Sequence, residues 1–102
     1  MRERSDASLL DRSGSDAAEA LALTALAYLL EDDSRTARFL TATGIDGADL
    51  AGRLSDPIFL GCVLDFVLQD ETVLVAVAAM AGLRADRVTG LRRRLPGVPA
   101  PD

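Results

Sequence analysis

The chain contains no histidine, lysine, asparagine or tryptophan, and cysteine occurs once. Without histidine the commonest general base is missing, most zinc sites are excluded, and no Ser/His or Cys/His pairing can form. Cys62 has no partner for an intrachain disulfide, which fits a reducing compartment. Lying in an apolar helix with no basic neighbour in sequence, it reads as a buried, inert thiol. Aromatic residues make up only 4% of the chain, so Ala, Leu and Val must do the packing, which suits closely approaching helices. Long apolar runs are lacking too. Ala20 to Leu30, with one Thr, and Val73 to Gly82 reach about half of a membrane span, and Leu9 and Leu10 are too little for a signal-peptide core. The expectation is a cytoplasmic protein with no membrane association. No CxxC, Walker-type loop or GxGxxG is present.

What is there fits one globular domain: 102 residues, 49% hydrophobic and 26% charged. All eleven basic residues are Arg. This reads first as codon bias of a GC-rich genome and second as selection for bidentate contacts to carboxylate or phosphate. The net charge of −5 argues against broad affinity for nucleic acid or anionic membranes. The charge is uneven, however, because Arg84 to Leu95 holds five Arg and one Asp, a local +4.

Residues 1–15, rich in Ser, Asp and Arg, and residues 96–102, alternating Pro with small residues, read as mobile tails flanking a helical domain over 16–95. Between them apolar residues recur at three- and four-residue spacings, with no sustained alternation of the β type. Helix 1 is expected to start at Asp16, in a capping box with Glu19. Its apolar positions Leu21, Leu23, Ala25, Leu26, Tyr28, Leu29 and Leu30 cover most of its circumference, as in a central helix. Asp32 or Asp33 caps helix 2, Ser34 to Thr43, with Ala37, Phe39 and Leu40 inward and Arg35 and Arg38 exposed. Gly44 ends it and Ile45 packs back. Asp46 caps a short helix 3 through Leu54, and Asp56 with Pro57 opens helix 4, which runs to Gln69. Asp70 caps helix 5, Gly82 ends it, Leu83 packs back, and helix 6 carries Val88, Leu91 and Leu95.

An offset of 38 residues lays one half on the other without a gap from about Glu19 to Gly52. Leu26 falls on Leu64, Leu30 on Leu68, Asp32 on Asp70, Gly44 on Gly82 and Gly52 on Gly90. The cap, the Gly stop and the apolar residue after it coincide at one offset, which favours a duplication. The copies disagree in helices 2 and 5: Arg35, Thr36, Ala37, Arg38, Thr41 and Thr43 correspond to Val73, Leu74, Val75, Ala76, Ala79 and Ala81. If the halves pack with pseudo-symmetry, helix 5 turns Val73, Ala76 and Met80 outward as a partner surface. The alternative is that helix 5 is the buried centre of an asymmetric bundle.

The acidic clusters Glu31-Asp32-Asp33 and Asp70-Glu71 lack the spacing of an EF-hand and are sufficiently explained as helix caps. Asp65, between Leu64 and Phe66, aligns with Gly61 and Gln69 in a polar stripe that either faces water or buries an ion pair with Arg38 or Arg53. Arg84, Arg87, Arg92, Arg93 and Arg94 read as solvated helix surface complementing the helix dipole, with phosphate contact as the alternative. Thr43 to Leu50 loosely resembles the loop and helix start of acyl carrier proteins, but Gly47 stands where the attachment Ser is required, and that function is rejected.

The stretches Ala18-Glu19-Ala20-Leu21-Ala22, Arg38-Phe39-Leu40-Thr41-Ala42-Thr43-Gly44, Asp56-Pro57-Ile58-Phe59-Leu60 and Val63 to Glu71 carry a family resemblance through their order and spacing. On them the chain resembles a family of short bacterial proteins catalogued as a domain of unknown function, number thirty-five seventy-two. Where members have Asp-Pro after helix 1 and Pro after the first Gly turn, this chain has Asp33-Ser34 and Gly47. The resemblance implies a helical fold and brings no activity, cofactor or catalytic residue.

The reading is therefore an all-α domain, an irregular or orthogonal bundle of five to six helices built from two similar helix-helix-Gly turn-helix halves. Its expected role is that of a non-enzymatic protein–protein interaction module, with self-association as one form. The candidate surface is Val73, Ala76, Met80, Arg84, Arg87, Arg92, Arg93 and Arg94, with no catalytic, cofactor or metal residue. A nucleic-acid-linked regulator using the Arg-rich C-terminal helix is the alternative.

Overall fold

A computed structural model describes the secondary structure of residues 2–96 and the side chains of residues 16–96. The helices are α1 (Arg2–Leu30), α2 (Asp33–Thr43), α3 (Leu50–Arg53), α4 (Pro57–Leu68), α5 (Glu71–Ala81) and α6 (Ala85–Arg92), with a 3-10 turn at Gly47–Asp49 leading into α3. No strand occurs among the described residues.

Short polar side chains start α2, the 3-10 turn, α4 and α5, whereas α3 and α6 have no side-chain cap. Asp32 accepts from the Arg35 amide at 2.9 Å, Asp46 from Ala48 at 3.0 Å, Asp56 from Ile58 at 3.0 Å, and Asp70 from Thr72 at 3.0 Å and Val73 at 3.3 Å. Each satisfies amides that the first helical turn leaves without a partner. Pro57, which has no amide to lose, follows the Asp56 cap. Gly44 and Gly82 end α2 and α5 with φ of 73° and 72°, a conformation in which a Cβ is strained. Gly44 donates to Leu40 O at 2.8 Å, and Leu83, past Gly82, donates to Ala78 O at 2.8 Å.

The start of α1 differs from expectation. The helix begins at Arg2, so Asp16 lies inside it and does not cap its start. The expected C-terminal tail lies, beyond Pro96, outside the described residues. The end of α1 also has an unforeseen closure. No glycine or basic residue stands there; instead Arg35 donates from Nε and Nη2 to Tyr28 O at 3.1 and 3.0 Å, and the Thr36 hydroxyl donates to Leu29 O at 2.9 Å. The Arg35 guanidinium also lies over the Tyr28 ring, 3.9 Å from its centre. Arg35 is thus half-buried, and Ala37, expected inside, is exposed.

The centre of the bundle is the pair α1 and α4, with α5 and α6 packed on both and on each other. Positions related by the 38-residue offset fill it together: Leu21 with Phe59, Ala22 with Leu60, Ala25 with Val63, Leu26 with Leu64, Leu29 with Val67, and Phe39 with Val77 are all buried. Each fully buried Val, Leu or Phe side chain among them contributes about 1.5–3 kcal/mol. α2 is pinned to α4 through Phe39, which meets Phe59 and Phe66 edge to face at centroid distances of 6.2 and 5.3 Å. The short α3 packs on the 3-10 turn before it and sets half-buried Leu50 against the core, while Leu54 is exposed. α6, its counterpart, is embedded through Val88 and is followed by buried Leu95.

Candidate functional site

The polar stripe Gly61, Asp65 and Gln69 on α4 leads to an ion pair buried on its Arg side. Arg92, 5% exposed, donates from Nε to Asp65 Oδ1 at 2.6 Å and from Nη2 to Oδ2 at 3.1 Å. Its Nη1 donates to Leu95 O at 3.0 Å and Pro96 O at 3.2 Å, so one guanidinium ties α4 to the chain leaving α6. This planar fork matched to a carboxylate is the geometry for which Arg is suited and Lys is not. Gly61 makes room for it: a Cβ there would lie 2.9 Å from Pro96 O and 3.1 Å from the Arg92 guanidinium. Asp65 is therefore paired, but with Arg92 rather than the expected Arg38 or Arg53. Arg38 stands 3.8 Å from Asp70, and Arg53 is exposed on α3.

The candidate surface divides under this geometry. Val73, at the position corresponding to Arg35, is buried in the core, and Arg92 is buried in the ion pair, so neither belongs to an exposed face. Ala76 is half-buried. Met80, Arg84, Arg87, Arg93 and Arg94 are exposed. Val75 and Ala79, one turn apart on α5 and exposed, were absent from the sequence-based set. The 3.6-residue period places Thr72, Val75 and Ala79 on one stripe once Val73 and Val77 are known to point inward. The difference between helices 2 and 5 also has a physical reason: Arg35 and Thr36 close the end of α1, whereas Val73 and Leu74 pack into the core.

Between α2 and α4 runs an open groove of about 490 Å³ lined by Ala37, Thr41, Ala42 and Phe66, with Arg38, Gln69 and Asp70 at its edge. It adjoins a second hollow of about 310 Å³ that Cys62 and Asp65 help to line. Cys62, expected to be buried, is exposed there. The groove has little chemistry. Asp65 and Asp70 are engaged in bonds already described, and no three His, Cys, Asp or Glu side chains gather as metal ligands among the described residues. None of the helices in the described residues is long and apolar enough to cross a membrane.

The model of a family described as "Protein of unknown function (DUF3572)" matches residues 15–98. No curated protein and no solved structure matches the chain.

Proposed function

The chain belongs to this DUF3572 family, and on that premise we propose that it is a small non-enzymatic protein–protein interaction module working through the outward face of α5. The exposure of Val75 and Met80, 53% and 50%, carries the reading. Singly exposed apolar residues are ordinary. Here Val75 and Ala79 share one stripe and Met80 lies on the next, on a helix that has no charged residue after Glu71, which makes the outward side of α5 costly to leave in water. The test places a photo-crosslinking residue at position 80 in the native cell. A discrete protein adduct that disappears in a Val75→Asp background supports the reading, and no adduct above that of a probe at exposed Arg53 ends it.

A second reading, a nucleic-acid-linked regulator, draws on the exposure of Arg84, Arg87, Arg93 and Arg94. With Arg92 committed to Asp65 and a net charge of −5, it has weaker support. A salt-sensitive gel shift lost in Arg87→Glu/Arg94→Glu would favour it, and the absence of a shift at low salt would end it.

A further inference from the structure

The 38-residue offset matches Leu23 with Gly61, Ala27 with Asp65 and Leu30 with Leu68, so these positions form the same face of α1 and of α4. On α4 the face is covered: Gly61 is buried beneath Arg92 and Pro96, Arg92 lies on Asp65, and Leu68 is half-buried. On α1 it is bare, with Leu23 41% and Leu30 43% exposed and Ala27 exposed between them. The segment that the repeat would lay there ends early: α3 has four residues, and Leu54, which matches Arg92, is exposed.

Two observations say what covers the face. The first is charge. From Asp16 to Glu31 the chain carries Asp16, Glu19 and Glu31 and no basic residue, whereas α6 and its exit expose Arg84, Arg87, Arg93 and Arg94 against a single Asp86. The second is shape. On the outer side of α6, Arg87, Gly90, Leu91 and Arg94 line a cleft of about 200 Å³. Apart from its chain neighbours and its own helix backbone, no described atom stands within 4 Å of where a Gly90 Cβ would be, so the cleft is open beside Leu91, with Arg87 and Arg94 in its lining. Glu31 has Arg35 3.9 Å away, so the acidic end of the face is that at Asp16 and Glu19, and an apolar helix face with such an end fits a basic cleft lined by a leucine. Both surfaces belong to this chain, on helices that pack against each other.

The geometry points to a symmetric homodimer in which the bare face of α1, at Asp16, Glu19, Leu23 and Ala27, seats on the Arg87–Arg94 cleft of α6 in a second copy. Because each copy carries one acidic and one basic surface on neighbouring helices, a two-fold axis forms both contacts at once. The contact uses none of the α5 residues, so it stands or falls separately from the reading above.

Sedimentation equilibrium tests it with charge reversal. The wild-type protein is expected to dimerise, with Kd rising at least tenfold as salt is raised from about 50 to 500 mM. Arg87→Glu/Arg94→Glu and Asp16→Arg/Glu19→Arg should each be monomeric, because each leaves two like-charged surfaces. Mixed in equal amounts, the two variants should form a heterodimer, since each then offers what the other lacks. Circular dichroism checks that the variants fold, and Ala27→Arg, at an exposed helical position, gives a monomer by steric block should Glu19→Arg unfold the chain. A monomeric wild type at about 0.5 mM protein and low salt overturns the proposal. So does a dimer that survives both reversals, a mixture that stays monomeric, or a dimer abolished by Val75→Asp/Met80→Asp instead. A monomer that shifts an oligonucleotide through Arg87 and Arg94, or that crosslinks a different protein from position 23, overturns it equally.

Discussion

Arg92 shows how one side chain can be misread from its neighbours in sequence. In the run Arg92-Arg93-Arg94 nothing distinguishes the first from the others, yet it alone is buried, with its fork on Asp65 and its remaining nitrogen on two carbonyls. Removing one member of such a pair costs more than the pair contributes, because the other charge stays partly desolvated. Asp65 is 26% exposed on its side chain, so water recovers part of the loss. Asp65→Ala is therefore expected to lower unfolding stability by about 2–3 kcal/mol in urea melts. In a double-mutant cycle, Arg92→Ala on top of Asp65→Ala should cost clearly less than the sum of the two single changes. An additive result would mean that the carboxylate and guanidinium do not act as a unit. The acid and its aligned Gly61 were legible in the sequence as a stripe at helical spacing. The partner was not, because it lies 27 residues away and only tertiary packing selects it from several Arg.

At the scale of the element, helix ends were the most legible features. Asp32, Asp46, Asp56 and Asp70 all act as caps, and Gly44 and Gly82 both take the left-handed conformation. These signals are local, each needing only two to four residues of backbone to operate. The end of α1 was illegible for the opposite reason, since it is closed by side chains that begin the next helix. Arg35→Met keeps an aliphatic stem over Tyr28 but withdraws both bonds to the Tyr28 carbonyl. The expected loss is about 1 kcal/mol, or a Tm lower by roughly 4–8 °C for a domain of this size. Thermal melting followed at the helical circular dichroism band checks it, and an unchanged Tm would show that the Glu31 amide, 3.3 Å from that carbonyl, and water serve it as well as Arg35 does. The polar composition of helix 2, which suggested a free amphipathic face, is thus partly spent on its neighbour.

For the molecule as a whole, the sequence pattern points to a helical bundle and to a difference between helices 2 and 5, but leaves open which side of each helix is covered. Periodicity reports which face of a helix is apolar and is silent on which neighbour covers it. Hence the sequence pattern puts Val73 and Arg92 on the surface and does not set the open side of α1 at Leu23 and Leu30 apart from its core residues. The long-range bond from Asp65 to Arg92 has a further consequence for how the protein breathes. It closes the chain between Asp65 and Arg92 into a loop that contains α5, so unfolding of α4 or α6 must give up the pair together with the packing around it. Among the described residues no ion pair ties the turn and short helix over 47–53 to another helix, and Leu50 alone of α3 packs against the core. Native-state hydrogen exchange should therefore divide the chain in two. Amides of α4 and α5 are expected to exchange only through global unfolding, with the steep denaturant dependence that implies, whereas those of Leu50–Arg53 exchange through local fraying almost independent of denaturant. The same Asp65→Ala change should then lower protection in α4, α5 and α6 while leaving α3 as it was.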